Sequence, residues 1–160
     1  MSQVSVILGS NSDKEVFRGI STIFNEFGVS FEKRIISAHR TPEVLKEYVE
    51  KSEKNGTKVF IGVAGMAAAL PGAIASYSNR PVIGVPVALN SPVMGLDSIF
   101  SILQMPPGIP VATVGANNGK NAALLAVEIL AASDTMLHQK LVSYRQKQKQ
   151  KVKNSDQQFT

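Results

Sequence analysis

A chain of 160 residues, 44% of them hydrophobic, is long enough to bury the core of one domain. It has no cysteine, which excludes disulfides and thiolate metal sites, and its two histidines, His39 and His138, stand far apart in different contexts, which argues against a histidine-built metal cluster. The net charge of +5 is local: residues 1–139 carry 11 Lys/Arg and 11 Asp/Glu, and residues 140–160 carry 6 Lys/Arg and 1 Asp, so a nucleic-acid footprint over the whole surface is excluded.

Val4–Leu8 is a short apolar run, as for a buried strand, and it ends in a Gly/Ser/Asn/Asp loop. Val16, Phe17, Ile20, Ile23, Phe24 and Phe27 then recur at helical spacing, and Gly28 is the stop. Val29–Ile36 reads as a second strand whose internal polar residues suggest a sheet edge. Thr41-Pro42 opens a helix, with Thr as N-cap and Pro at the first helical position. Val44, Leu45, Tyr48 and Val49 mark its buried face, and Asn55-Gly56 closes it. Val59–Val63 is apolar throughout, as a parallel strand covered on both faces requires. A run of small residues, 64–72, leads into a helical stretch to about Ser78.

Val82–Val85 is a fourth strand, expected to end at Pro86. A helix is expected near Asp97–Leu103, broken by Met105-Pro106-Pro107-Gly108, and Val111–Val114 gives a fifth strand. Two helices follow, Asn121–Ala132 and Asp134–Lys151, the second beginning at an Asp cap, and the chain is expected to fray from about Asn154. The domain expected is therefore residues 1–153, with 154–160 as a tail. The basic terminal run reads as a solvated helix end, since no aromatics interleave with its lysines as a single-strand stacking surface requires. No apolar run reaches the roughly 18–20 residues of a membrane span. Met1-Ser2-Gln3 lacks the basic flank of a signal peptide, and the cytoplasm is the expected location. Asn121–Ala132 is apolar on nearly every face, which points to cover by a neighbouring subunit and so to a homo-oligomer.

Strands alternating with helices mean a parallel sheet, and five strands in one three-layer α/β sandwich suggest a flavodoxin-like order with C-terminal helices added. Ligands bind such sheets at the carboxyl ends of the strands, near the switch point. Three loops fall there. Gly9-Ser10-Asn11-Ser12-Asp13 precedes a helix, where free backbone N–H groups favour an anion. Gly9 permits close approach, Ser10 and Ser12 offer hydroxyl donors, and Asp13 suits ribose hydroxyls better than phosphate; simple helix capping by Ser12 or Asp13 is the competing account. Ser37-Ala38-His39-Arg40-Thr41-Pro42 places a histidine, with an ordinary pKa near 6.5, beside a phosphate-binding guanidinium fork. The third loop, Ala64-Gly65-Met66-Ala67-Ala68-Ala69-Leu70-Pro71-Gly72, exposes backbone groups to a flat ligand, or else serves tight helix–sheet packing. His138 lies on an amphipathic helix near the basic run and has no expected chemical role.

These loops, taken with Gly84-Val85-Pro86-Val87, the segment Gln104–Val111 and Asn121-Ala122-Ala123-Leu124-Leu125-Ala126, resemble the bacterial 5-(carboxyamino)imidazole ribonucleotide mutases of purine biosynthesis, from about Val4 to Arg145. The resemblance implies a flavodoxin-like fold in a homo-octamer, and a reaction that moves a carboxylate from the exocyclic nitrogen of the imidazole to ring carbon 4 without metal or organic cofactor. It implies Ser10, Asp13 and Arg40 as the main nucleotide-binding residues, with Ser12 and Ser37 supporting the phosphate. Ala64, Gly65 and Leu70 line the base, and His39 carries the proton. At Ala69 the chain has a small residue where these mutases usually have histidine. The related class that carboxylates aminoimidazole ribonucleotide directly with carbon dioxide tends to have a small residue there. Arg40, Pro42, Pro71 and the 104–111 segment are those of the mutases, so the mutase is the reading taken. Direct carboxylation is its alternative, and a nucleotide-binding module without chemistry is a further one.

Overall fold

A computed structural model describes residues 2–89 and 91–157. Five parallel strands, β1 (Val4–Leu8), β2 (Phe31–Ile35), β3 (Val59–Gly65), β4 (Val82–Val87) and β5 (Ala112–Thr113), form one sheet in the order β2-β1-β3-β4-β5. Six helices accompany them: α1 (Lys14–Phe27), α2 (Pro42–Lys54), α3 (Leu70–Tyr77), α4 (Leu96–Leu103), α5 (Gly119–Ala131) and α6 (Thr135–Gln157). This is the flavodoxin-like order expected. The chain runs outward from β1 to β2 and returns to β3, so the switch point lies between β1 and β3.

Alternation along the strands makes three layers. Val4, Val6, Leu8, Val59, Ile61, Val63, Ile83, Val85 and Val87 bury one face of the sheet against α1, α5 and α6. Ile7, Phe60, Ala64 and Val82 bury the other against side chains of α2, α3 and α4. On that second face Ser5 is fully buried, and its hydroxyl is satisfied by the Tyr48 hydroxyl at 2.7 Å. Gly62 and Gly84 stand opposite each other in β3 and β4. A Cβ on Gly62 would sit 3.1 Å from Pro71, and one on Gly84 would sit 2.3 Å from Ile102 and 3.3 Å from Pro71. The missing side chains thus let α3 and α4 lie close on the sheet, which sets where the 64–70 loop emerges.

The edge position of β2 is as expected, and its charges cover flanking rings: the Lys33 ammonium lies 4.6 Å from the Phe17 ring centre and the Arg34 guanidinium 4.8 Å from that of Tyr48. Four local expectations are corrected. β4 does not stop at Pro86 but runs on to Val87. The groups of Gly84 face β5, where its carbonyl accepts from Val114 N–H, so by alternation the nitrogen of Pro86 faces the same side. β5 has ended there at Thr113, so the missing N–H costs no ladder bond. β5 itself is two residues long rather than four. Thr41 occupies the N-cap position of α2, yet its hydroxyl donates back to the Ser37 carbonyl at 3.0 Å and caps nothing.

The fourth correction concerns α5. Its apolar faces are largely covered within the chain: Ala122, Ala123, Ala126, Val127, Leu130 and Ala131 are buried, while Leu124, Leu125 and Ile129 are half-buried against the same core. α1 lies along it through Gly19 and Gly119, and α6 covers its other flank. Asp134 caps α6 as expected, accepting from Leu137 N–H at 3.0 Å. α6 continues past Asn154 to Gln157, and residues 158–160 lie outside the described residues. No helix among the described residues is long and apolar enough to cross a membrane.

Candidate active site

The three loops singled out in the sequence converge on one cleft of about 490 Å³ at the carboxyl ends of β1, β2 and β3. Ser10, Ser12, Asp13, Ser37, His39, Arg40, Ala64, Gly65 and Leu70 all line it. Val87 and Leu89, at and just past the end of β4, line it as well. The sequence reading stopped at the third strand and missed these two; the same carboxyl-edge rule applied to β4 finds them. His138 is exposed on α6 and outside the cleft.

The first loop is braced from within. Gly9 N–H donates to the Val63 carbonyl at 2.9 Å, and Ser10 N–H to the Asp13 carboxylate at 2.9 Å. These two donors are therefore spent on the fold rather than free for an anion. The N–H groups of Asn11 and Ser12, at the start of a 3-10 turn over Asn11–Asp13, stay open among the described residues. The hydroxyls of Ser10 and Ser12 bond each other. A Cβ on Gly9 would meet no protein atom nearer than 3.5 Å, so the fold has room for a side chain there, and its absence widens the cleft.

Asp13 is 4% exposed, and one of its carboxylate oxygens takes both the Ser10 N–H and, at 3.2 Å, the Ser10 hydroxyl. Burial pushes its pKa above the ordinary carboxylate value, and the Ser10 and Ser12 hydrogen bonds oppose that only in part. The carboxylate of Asp13 thus braces the loop through Ser10 and also lines the cleft.

The second loop is a tight turn. The Ser37 carbonyl accepts from Thr41 N–H at 3.0 Å, and the Ser37 hydroxyl accepts from Arg40 N–H at 3.2 Å and from Arg40 Nε at 3.5 Å. Turning the chain this way puts His39 and Arg40 on the exposed side of the turn, and the His39 ring has no hydrogen-bond partner among the described residues. In the third loop the small residues divide. A Cβ on Gly65 would press on the Val87 carbonyl at 3.1 Å and one on Gly72 on Met105 at 3.1 Å, so those two glycines serve packing. Met66, Ala67 and Ala69 are exposed at the cleft. Among the described residues no group of three or more His, Asp or Glu side chains is placed to hold a metal ion.

A doubly wound parallel sheet with donor groups, one guanidinium, one histidine and a small-residue wall gathered at its switch point defines a class: doubly wound α/β proteins, a fold whose ligands lie at the carboxyl edge of the sheet. The family model described as AIR carboxylase matches residues 3–151, and the chain belongs to that family. A Methanocaldococcus jannaschii protein named N5-carboxyaminoimidazole ribonucleotide mutase is 51% identical over 153 residues, covering 96% of this chain and 94% of the relative. A Pyrococcus horikoshii protein of the same name is 53% identical over 152 residues, 93% of this chain and 84% of the relative. The Saccharomyces cerevisiae phosphoribosylaminoimidazole carboxylase is 47% identical over 93% of this chain, which spans only 26% of that longer protein. The crystal structure of Treponema denticola PurE superposes with a TM-score of 0.84 at 30% identity, covering 97% of this chain and 96% of that one.

Proposed function

We propose that this chain is a 5-(carboxyamino)imidazole ribonucleotide mutase, an isomerase of purine biosynthesis. Its substrate is a phosphorylated ribonucleotide, and its product carries the carboxylate on ring carbon 4. The observation that carries this is the likeness, at about half identity over nearly the whole length, to relatives named for that reaction. The cleft supports it with chemistry suited to each part of such a ligand.

Arg40, the open N–H groups of Asn11 and Ser12, and the hydroxyls of Ser10, Ser12 and Ser37 are the donors for the phosphate. Asp13 accepts from the ribose hydroxyls. Ala64, Gly65 and Leu70 form the wall for the imidazole. His39 moves the proton. The N–C bond of the carboxyamino group breaks, carbon dioxide leaves, and His39 delivers a proton to the exocyclic nitrogen. Ring carbon 4 then bonds the carbon dioxide and surrenders its own proton to the histidine, which returns to its starting state. No proton or electron is gained or lost over the cycle, as an isomerisation demands.

The assay that tests this offers pure protein the carboxyamino nucleotide in one arm and aminoimidazole ribonucleotide with bicarbonate in the other, and follows product absorbance. Efficient turnover in the first arm is the expected result. Turnover in the second arm alone supports direct carboxylation, the reading favoured by the small residue at Ala69. Binding without turnover in either supports a module without chemistry.

The finer expectations are a cytoplasmic homo-oligomer, probed as an octamer. Assembly with further copies is supported by the outer face of α4 and the loop before it, where Val93, Met94, Leu96, Phe100 and Leu103 are 45–82% exposed. An apolar surface of that extent is suited to cover by another subunit.

A further inference from the structure

Met66 is an exposed apolar side chain that the fold does not use. It is 64% exposed, belongs to neither hydrophobic core, and has φ +56, in the left-handed region that glycine fills without strain. Its carbonyl accepts from Ala68 N–H at 2.8 Å, closing a turn that would form at least as well around a glycine. What the Met66 side chain faces is the cleft.

Leu89 faces the same cleft, 44% exposed and likewise outside both cores. The strands bring the two together. Gly65 of β3 pairs with Val87 of β4, so Met66 leaves β3 one residue past that pair and Leu89 leaves β4 two residues past it. The exit of β4 is also held from outside. Asn117 donates its N–H to the Pro86 carbonyl at 2.8 Å, and its side-chain oxygen accepts from Ala88 N–H at 3.0 Å. Two large apolar side chains are thus set on adjacent strand ends, at the mouth of a cleft whose other rim is polar.

We propose that Met66 and Leu89 form an apolar gate that closes over the base of the bound nucleotide and retains carbon dioxide between its loss from nitrogen and its capture by carbon. The proposal rests on the mutase reading above. Between the two steps the migrating group is a small neutral molecule with no charge for the cleft to grip, and it is kept only if water is kept out and the exit is narrow. A polar side chain at either position admits water and opens a route along which carbon dioxide escapes and hydrates.

The test is isotopic. Unlabelled carboxyamino nucleotide is supplied to wild type, Met66→Gly, Leu89→Ser and the double variant in ¹³C-bicarbonate buffer with carbonic anhydrase. The labelled fraction of product, and any free aminoimidazole ribonucleotide above the enzyme-free background, are read by mass spectrometry. Met66→Gly relieves the positive φ and Leu89 is exposed, so the variants keep the fold, which thermal melts verify. The expected result is a labelled fraction that rises by about threefold or more in the double variant, with free aminoimidazole ribonucleotide accumulating. Labelling equal to wild type removes the gate. So does a folded variant that forms neither product nor free aminoimidazole ribonucleotide. Wild-type protein that makes no product from the carboxyamino nucleotide overturns the reaction itself, and the gate with it.

Discussion

His39 and Asp13 stand in one cleft with opposite attachments to the protein. His39 is on the outside of a turn, free of internal partners among the described residues, while Asp13 is buried and tied to Ser10. Substituting His39 therefore disturbs little of the fold, and its effect should fall on the proposed proton transfer. His39→Asn is expected to lose turnover by about 10²–10⁴ while nucleotide binding stays within about tenfold, measured by steady-state assay and titration calorimetry. Near-normal turnover would remove His39 from the mechanism. Asp13 carries a stability cost along with its proposed ligand role. Burial raises its pKa, so the folded state prefers the protonated acid; that preference is fully present below the ordinary carboxylate pKa and is lost as pH rises through the raised value. An amide at this position keeps an acceptor for Ser10 N–H and has no charge to bury. Asp13→Asn is thus expected to melt higher relative to wild type at neutral pH than at acid pH, and to bind nucleotide more weakly. An equal melting difference at both pH values would show that Asp13 ionisation is not linked to folding. The identities of these side chains and their place at the sheet's carboxyl edge were legible in the sequence. The use of Gly9 and Ser10 N–H groups by the fold was not, because it depends on a carbonyl in β3 and a carboxylate turned inward.

At the scale of elements, the sequence pattern located the five strands and six α-helices; α3 begins at Leu70, inside the run read as small-residue loop, the 3-10 turn over Asn11–Asp13 was read as loop, and the other departures came where one element's end depends on another. Pro86 reads locally as a strand terminator, yet it is tolerated because β5 stops short of it. β5 looked longer in the sequence because Val111 and Val114 flank it with the same apolar character. Helix-to-helix contact is likewise invisible in a single segment. Gly19 of α1 and Gly119 of α5 face each other's helices, but they are not equivalent: a Cβ on Gly119 would lie 2.2 Å from the Val16 carbonyl, whereas one on Gly19 would meet the flexible Lys120 side chain at 3.3 Å. Gly119→Ala must push the two helices apart and is expected to cost about 2 kcal/mol or more in denaturant unfolding. Gly19→Ala is expected within about 1 kcal/mol of wild type, since the helix propensity gained offsets the contact. Similar costs for both would mean that α1 and α5 are not closely packed.

For the whole molecule, the sequence pointed to assembly through α5, and the structure moves the argument to α4. α5 is apolar on nearly every face because three neighbours inside the chain surround it, the sheet, α1 and α6, a coverage that no single-helix pattern reveals. α4 is only eight residues long and amphipathic in the ordinary way for its inner face, yet it carries Leu96, Phe100 and Leu103 outward. Phe100→Asp combined with Leu103→Asp is expected to split the proposed oligomer into smaller particles in light scattering, with the far-ultraviolet dichroism of the folded subunit retained. An unchanged particle mass would place the subunit contact elsewhere.

α6 spans 23 residues, about 34 Å of helix, but its buried residues are Leu137 and Leu141 alone, both in the first two turns. Beyond Tyr144, whose ring packs 5.4 Å from that of Phe27, and Arg145, which pairs with Glu128, the helix carries Lys147, Lys149, Lys151 and Lys153 on both sides of the axis and is exposed to its end at Gln157. An isolated helix end of that composition opens and closes rapidly, so its amides should exchange with solvent deuterium within seconds, while those of β1 and β3 stay protected for as long as the domain remains folded. If a neighbouring subunit covers that half of α6, the protection there should appear and disappear with the particle mass, and dilution or the α4 substitutions would release it. Exchange that stays fast in the intact particle would mean that the C-terminal half of α6 stands in solvent in the assembly as well.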